Sequence, residues 1–419
     1  MTHRILIISH GHPAFSKGGA EMASYNLHRE YLKRSDCTSL YLARRGDEVP
    51  GHHATIFSST APNEILFHSH IDHFVFSHRG LDDITREFRL LLEDYEPTVV
   101  HFHHYTHLGL EMIREVKNWN KNVSVVVTLH EYLAICDNFG QMVTTQGRLC
   151  YESSPTRCAI CKSPRTSADF FFREQFIKSF FQLVDQFISP SQFLIDRYVA
   201  WGLPASKFTF LENGLSDAAT ITDKAESLAD DFIPVRFGYF GQINPFKGLD
   251  VFLEAVTLLP KLLKNQIRIE VHGSGLENQS SEFQEKINDL LEKNQKTVKF
   301  LGAYEPEDVI GLMHGVDWVV VPSVWWENSP LVIQEAFAAK KPLIVSNIGG
   351  MAEKVKDGVY GYQFRNRNAA DLARVMEMAL SAEVYRSFQT QLPTPVVARE
   401  SGDNHINCYD KVSSYNLKK

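Results

Sequence analysis

Short apolar runs, each followed by a longer amphipathic stretch, recur along the whole 419-residue chain and leave few folds open. "RILIIS" precedes "GGAEMASYNLHREYLKR", "PTVVHFHH" precedes "HLGLEMIREVKNW", and "VSVVVTLHE" and "DQFISPSQFLIDRYVAWG" follow. The second half repeats the theme: "VRFGYFG" before "GLDVFLEAVTLLPKLL", then "IRIEVHGSG", "VKFLGAY", "DWVVVPS" and "PLIVSNIGG". Strands that are apolar throughout need cover on both faces, and alternating helices provide it over parallel sheets. A polar stretch, "SDAATITDKAESLADD" (216–231), separates the two series and reads as a linker. The expectation is an α/β protein of two doubly wound, Rossmann-like domains facing a central cleft. Ligands in such sheets bind beyond the carboxyl ends of the strands.

Bulk properties exclude several classes. A formal charge of −7 argues against a nucleic-acid partner, which calls for a basic balance. No run approaches eighteen uninterrupted apolar residues, so a membrane span is not expected. "MTHRILIIS" enters a strand-like run at once, without the pattern of a signal peptide. With six cysteines and no such signal, a reducing, cytoplasmic setting is expected. Nothing in the sequence bears on oligomeric state.

The most informative stretch is "VWWENSPLVIQEAFA" (324–338), with Glu327 and Glu335 separated by seven residues. Ser329 and Pro330 read as N-cap and first helical residue. Leu331, Val332, Ile333, Ala336 and Phe337 cover most of the circumference that follows, so a carboxylate at Glu335 is costly unless something binds it. Glu327 precedes free backbone N–H groups, where an anion is readily held. "KGGAE" (17–21) places Gly18 and Gly19 between the first strand and helix, either a simple turn or a close backbone approach to a phosphate. "HFHHYTH" (101–107) suggests a metal at first sight. His101 and His103 share one strand face while His104 points away, and no carboxylate completes a ligand set. His103 and His104 read as strand-end residues, at most lining an acceptor side. The helix at 168–187 shows a stripe of Phe172, Phe176, Phe180, Leu183 and Phe187, with Phe171 on the polar side beside Arg173 and Lys178; core packing or a peripheral membrane contact both fit. Cys136, Cys150, Cys158 and Cys161 are spaced C-x13-C-x7-C-x2-C, which fits a closed structural zinc site. Four reduced cysteines or an iron–sulfur cluster are the alternatives.

Taken in order, several motifs resemble the retaining glycosyltransferases of family 4, with the two-domain GT-B fold. "PSVWWENSPLVIQEAFAAKKPLIVSNIGGMAEKVKDGVYGYQF" (322–364) is similar to the family's E-x7-E segment and following Gly-Gly loop. "GYFGQINPFKGLDVFLEA" resembles its phosphate-binding strand and loop, "FISPSQFLIDRYVAWGLPASKFTFLENGL" (187–215) the end of the first domain, and "TLHE" and "GGAE" the first domain's share of the cleft. The resemblance implies a first, acceptor-side domain over 1–216 plus about 396–419, the last helix crossing back to it, and a nucleotide-sugar domain over 217–395. It implies retaining, metal-independent transfer of a hexosyl or related group from a nucleotide-diphosphate sugar to a glycan or lipid-linked acceptor, as in cell-surface polysaccharide or lipopolysaccharide assembly. No catalytic cofactor is implied. Glu327 would take donor-sugar hydroxyls and Glu335 the ribose. The N–H groups of Ser329, Leu331 and Val332, within the run Asn328–Val332, would face the sugar-diphosphate end. Lys247 would carry the diphosphate charge, and His130 would bridge sugar and leaving phosphate. Gln242 departs from the family, which has an arginine there; Arg173 and Lys17 are the candidates to replace it. A nucleotide-sugar epimerase of the same fold, or a non-catalytic nucleotide-sugar-binding subunit, is the alternative.

Overall fold

A computed structural model describes residues 3–16, 18–45, 56–69, 71–78, 81–215 and 234–416. Lys17 and the linker at 216–231 lie outside the described residues. The chain divides into two compact units, Met1–Gly214 with Val397–Lys419, and Leu215–Val396.

The first unit holds an eight-stranded sheet. Its order is Phe208–Phe210, Gln186–Ser189, Ser124–Thr128, Val99–Phe102, His3–Ser9, Cys37–Arg44, Glu64–Phe67, Ile56–Ala61. Every neighbouring pair is parallel except the last, Ile56–Ala61 against Glu64–Phe67. Ile5, Leu6, Ile7 and Ile8 are all fully buried, as a strand covered by helices on both faces demands. The register Ile8↔Phe102↔Val127 brings the three neighbouring strands to their carboxyl ends together. His10, His103, His104 and His130 therefore follow at one edge of the sheet.

The last helix, Ala398–Asn416, belongs to this unit. Its Tyr409 is fully buried, accepts from the Tyr31 hydroxyl at 3.2 Å and bonds His101 Nδ1 at 2.7 Å. His3 Nε2 meets Asp410 at 3.0 Å, and the Ser124 and Ser413 hydroxyls lie 3.0 Å apart. A helix separated from these partners by hundreds of residues thus closes the first unit's core.

The aromatic helix differs from its expected face. It spans Ser167–Phe181, so Leu183 and Phe187 lie beyond it, Phe187 in a strand. Phe171 and Phe172 are 58% and 57% exposed, while Phe170, Arg173, Ile177 and Phe180 are buried. Arg173 turns inward because it donates to the carbonyls of Phe74 and Ala134, both at 2.6 Å, and of Leu133. Buried loop carbonyls that take donors from Arg173 set that face, overriding the aromatic spacing.

The second unit is a six-stranded, all-parallel sheet ordered Val298–Gly302, Ile267–His272, Val235–Phe240, Trp318–Val321, Leu343–Ser346, Gly361–Phe364. Its first strand in sequence, Val235–Phe240, lies beside the fourth, Trp318–Val321. The order reverses there, so the loops after these two strands open side by side at the carboxyl ends. Sheets of this class bind ligands at that switch point.

Tyr409→Phe should cost about 1–2 kcal/mol by leaving the buried His101 Nδ1 without its partner. Tyr409→Ala should cost about 3–5 kcal/mol through the added cavity. Denaturant unfolding of both variants checks the order; a Tyr409→Phe variant as stable as wild type would mean that the hydroxyl contributes nothing.

Candidate functional site

At the switch point of the second unit, the loop Gly241–Gly248 lies against residues 322–328. Lys247 is fixed by its N–H donating to Asn244, at 3.1 Å to the carbonyl and 3.2 Å to Oδ1, and Val324 N–H donates to the Phe246 carbonyl at 2.8 Å. Gly248, at φ +71°, caps the following helix, and a Cβ there would lie 2.0 Å from the Pro322 carbonyl oxygen. On the other side of 327–328, Gly350 N–H donates to the Glu327 carbonyl at 2.7 Å, and its own Cβ would sit 1.5 Å from the Asn328 oxygen. The glycine pair at 349–350 is what lets this loop settle.

That framework brings Lys247 and Glu327 together, 80 residues apart in sequence, with Nζ 2.6 Å from Oε1. Ser323 Oγ donates to the same oxygen at 2.8 Å and Trp325 Nε1 at 2.9 Å. Three donors converge on Oε1, and none of these bonds uses Oε2. Glu327 is buried; Lys247 keeps part of its surface exposed. Ser323 and Trp325 were missed in the sequence, although their offsets of four and two residues from Glu327 could have flagged them in a tight loop.

Ser329 does not cap the helix as expected. The N-cap is Pro330, extended at ψ 121°, and the helix runs Leu331–Ala338. Proline's fixed φ suits either place, but the extended ψ puts Pro330 outside the helix. Leu331 and Val332 are half-buried in its first turn, and Glu335 is half-buried one turn on. Burial alone pushes the Glu335 carboxyl from 4.5 up to about 7. It acts on the Tyr304 hydroxyl, which desolvation and then the Glu335 charge both raise. Tyr304 lies edge-on to Phe240 and His272, themselves stacked at 4.7 Å. Gln242 is exposed, and its carbonyl accepts from the Tyr239 hydroxyl at 2.7 Å.

In the first unit, His130 Nε2 lies 3.2 Å from His103 Nδ1, the two rings stacked 5.4 Å apart. His101 follows at 4.2 Å from His103 and is held by Thr128 Oγ1 and the Tyr409 hydroxyl, both at 2.7 Å. Burial, then the neighbouring histidines, lowers His101 and His103 well below the usual range and His130 to about 3, so all three are neutral at pH 7. His104 turns the other way, as expected, but it does have a carboxylate: Glu131 Oε1 at 3.3 Å, with the His10 ring at 4.4 Å. Burial raises Glu131 to about 8. The metal reading still gains nothing: among the described residues no group of three or more His, Cys, Asp or Glu side chains is placed to hold a metal ion.

Gly18 is the N-cap of the helix Gly19–Tyr31, and Gly19 is exposed. The chain supplies an anion to this helix start itself. Glu21 folds back so far that a Cβ on Gly18 would meet its Oε2 at 2.3 Å. Burial works against its charge, yet His10 at 3.3 Å and the Ser16 hydroxyl at 2.7 Å hold it at about 2. A phosphate at Gly18–Gly19 would stand beside that charge. Arg173, tied to three carbonyls, is likewise not free to replace the arginine absent at Gln242.

Cys136, Cys150, Cys158 and Cys161 are free thiols lining one cavity of about 580 Å³, without standing in ligating geometry.

Glu335 makes a stability prediction. Its folded pKa, about 7, exceeds its unfolded value near 4.5. The fold is therefore favoured below pH 4.5 and loses that contribution as pH rises through 7. Glu335→Gln should remove this decline, gaining about 2 kcal/mol over wild type at pH 8, discounted for partial solvent contact. Denaturation at pH 5 and pH 8 checks it; parallel pH slopes for both proteins would place the titration elsewhere.

Comparison with known proteins agrees with this architecture. Residues 17–218 match the model of Glycosyltransferase Family 4, and residues 227–391 that of Glycosyl transferases group 1. The lipopolysaccharide 1,2-N-acetylglucosaminetransferase of Salmonella typhimurium is 30% identical over 193 residues, 44% of this chain and 50% of that protein. The glycogen synthase of Mycobacterium tuberculosis is 30% identical over 151 residues, 35% of this chain and 34% of that one. The chain thus spans half or less of the length of these curated relatives. Among solved structures, the sucrose-phosphate synthase of Thermosynechococcus elongatus superposes with a TM-score of 0.71 at 17% identity, covering 99% of this chain and 100% of that one. Anabaena HepE in complex with UDP and glucose gives 0.65 at 15% identity, covering 97% and 99%. Residues 17–218 thus form a domain like those of Glycosyltransferase Family 4 and residues 227–391 one like those of Glycosyl transferases group 1, on two parallel-sheet units of the GT-B fold.

Proposed function

We propose that this protein is a retaining glycosyltransferase, moving a sugar from a nucleotide-diphosphate sugar to a hydroxyl of a glycan or lipid-linked acceptor. The observation that carries the reading is the contact of Lys247 with Glu327 at the sheet's switch point, with Glu335 one helical turn inside. Breaking a sugar–phosphate bond leaves growing negative charge on the diphosphate, and a fixed ammonium lowers the energy of that state. Glu327 is the counter-charge of Lys247 when no donor is present. Its unused Oε2 suits it to accept a sugar hydroxyl, since a carboxylate is an acceptor only. Glu335, ionised, would accept both ribose hydroxyls, and the N–H groups of Ser329, Leu331 and Val332 would face the sugar-diphosphate end. His130, neutral at working pH, can donate from one nitrogen and accept at the other, as bridging sugar and leaving phosphate requires. Lysine and backbone dipoles carry the charge in this scheme, so transfer is metal-independent. A place at the cytoplasmic side of cell-surface polysaccharide or lipopolysaccharide assembly fits the chemistry; the Salmonella relative bears a lipopolysaccharide transferase name.

A thermal-shift screen over UDP-, GDP- and ADP-sugars, followed by product analysis with mixed acceptors, tests the reading. A ligand at 100 times its Kd should add about 2.7 kcal/mol. No response to any nucleoside diphosphate overturns it; sugar isomerisation without transfer would make it an epimerase, and binding alone a sensor.

Lys247→Ala should cost about 2–4 kcal/mol of transition-state stabilisation, seen as a loss in kcat. Gln242→Arg should be tolerated and should tighten diphosphate binding. Glu335→Gln should weaken binding of the free nucleoside diphosphate, whereas Glu327→Gln should lower turnover more than that affinity, because the free nucleotide has no sugar to contact. Equal losses of affinity would refute this division of roles. Affinity in wild type should also rise between pH 6 and 8, as Glu335 ionises, and Glu335→Gln should flatten that rise.

A further inference from the structure

His103 and His130 follow the carboxyl ends of neighbouring strands, and the backbone around each is pinned. The register Phe102↔Val127 sets the two strand ends side by side. His103 N–H donates to the Ile8 carbonyl at 2.8 Å, Leu129 N–H donates to the Ile188 carbonyl at 2.8 Å, and the Glu131 carbonyl accepts from the Tyr198 hydroxyl at 3.0 Å. The side chains then meet through His103 Nδ1 and His130 Nε2, 3.2 Å apart, with the ring planes 23° apart.

Both rings are neutral at pH 7, because burial disfavours a second proton on either. A neutral imidazole has one N–H and one bare nitrogen, so one ring donates and the other accepts. The contact by itself allows either direction, and the far side of His103 decides between them. Its Nε2 is buried and has no hydrogen-bonding partner among the described residues. A proton on that nitrogen would be a buried donor without an acceptor, and folded proteins leave buried N–H groups unpaired more rarely than acceptors. The bare nitrogen therefore belongs at Nε2, and His103 carries its proton on Nδ1 and donates it to His130 Nε2. His130, accepting at Nε2, keeps its own proton on Nδ1. That nitrogen makes no hydrogen bond among the described residues, and the side chain is only half-buried.

We infer that His103 is a positioning residue that fixes His130 in its Nδ1–H form, so that His130 meets the nucleotide sugar as a hydrogen-bond donor only. For its ligand the inference rests on the transferase reading, and it narrows that reading. With Nε2 engaged inside the protein, a single N–H is left to serve the oxygens of sugar and leaving phosphate. A neutral N–H suits an oxygen that gains negative charge, since the bond strengthens as the sugar–phosphate bond breaks and no proton has to move. The same tautomer bars His130 from taking a proton off the acceptor hydroxyl, because its one basic nitrogen is occupied. In water a neutral histidine favours the Nε2–H form, so two adjacent rings both protonated at Nδ1 are a state the fold imposes.

Nitrogen NMR of the full chain labelled at histidine reads this directly, since protonated and bare ring nitrogens have well-separated shifts. The signals lost in His103→Asn and in His130→Asn assign the two rings. Without any ligand, both rings should show a protonated Nδ1 and a bare Nε2. In His103→Leu the His130 ring should revert to the Nε2–H form, and kcat should fall about tenfold with KM changed much less, the size of one misdirected hydrogen bond. His103→Asn, whose amide N–H takes the place of Nδ1–H, should recover most of that loss. A wild-type His130 protonated at Nε2 overturns the inference, as does a tautomer unmoved in His103→Leu or a kcat unchanged once it has moved. Should His103→Leu fail to fold, the wild-type spectrum decides alone. The expected spectra in a chain that transfers no sugar would overturn the transferase reading and leave the tautomer of His130 standing.

Discussion

Two backbones approach more closely around Glu327 than any side chain would allow, and the second unit's chemistry depends on that approach. With a methyl group at 350, the strand-end loop carrying Glu327 and Asn328 would have to move away from the turn that follows Leu343–Ser346. A side chain at 248 would likewise push the Lys247 loop off Pro322. Either change separates the ammonium from the carboxylate that it meets at 2.6 Å. A partly buried ion pair gains little unless its geometry is tight and further donors satisfy it. Ser323 and Trp325 satisfy it here.

The protein treats its buried carboxylates in two ways. Glu327 and Glu21 are ringed by donors, and Glu21 keeps its charge down to about pH 2. Glu335 and Glu131 are desolvated without equal compensation, and their pKa values rise to about 7 and 8. Groups left uncompensated in this way are costly to the fold and are where bound ligands can repay the cost. Hydroxyl donors at Glu335 would return that carboxyl to its ordinary range.

In the first unit the organising element is a row of neutral histidines running from the last helix to a strand end. Tyr409 fixes His101, His101 packs tilted against His103, and His103 stacks on His130. Desolvation first, and then other histidines nearby, lowers the affinity of all three rings for a proton, so the row holds its nitrogens as hydrogen-bonding groups rather than as cations. A helix contributed by the extreme end of the chain thereby sets the surroundings of a residue near its first third.

The alternation of apolar runs and helices was enough to read two parallel-sheet domains, because full burial leaves such strands no other composition. Glu327, Lys247 and Glu335 were legible as candidates because each is a charge in a setting that penalises charge. The sequence could not show that Lys247 and Glu327 touch. That contact follows from strand order, which sets the first strand of the unit beside the fourth. Nor could spacing tell that Arg173 turns inward, since the carbonyls that draw it come from residues 74, 133 and 134. Spacing left Gly18–Gly19 as either a plain turn or an approach to a phosphate, and only the folded chain shows Glu21 curled back onto it. Periodicity reports how each segment meets water, so it determined the layers. Which polar groups satisfy one another depends on segments far apart in the chain, and the tertiary structure alone decided that.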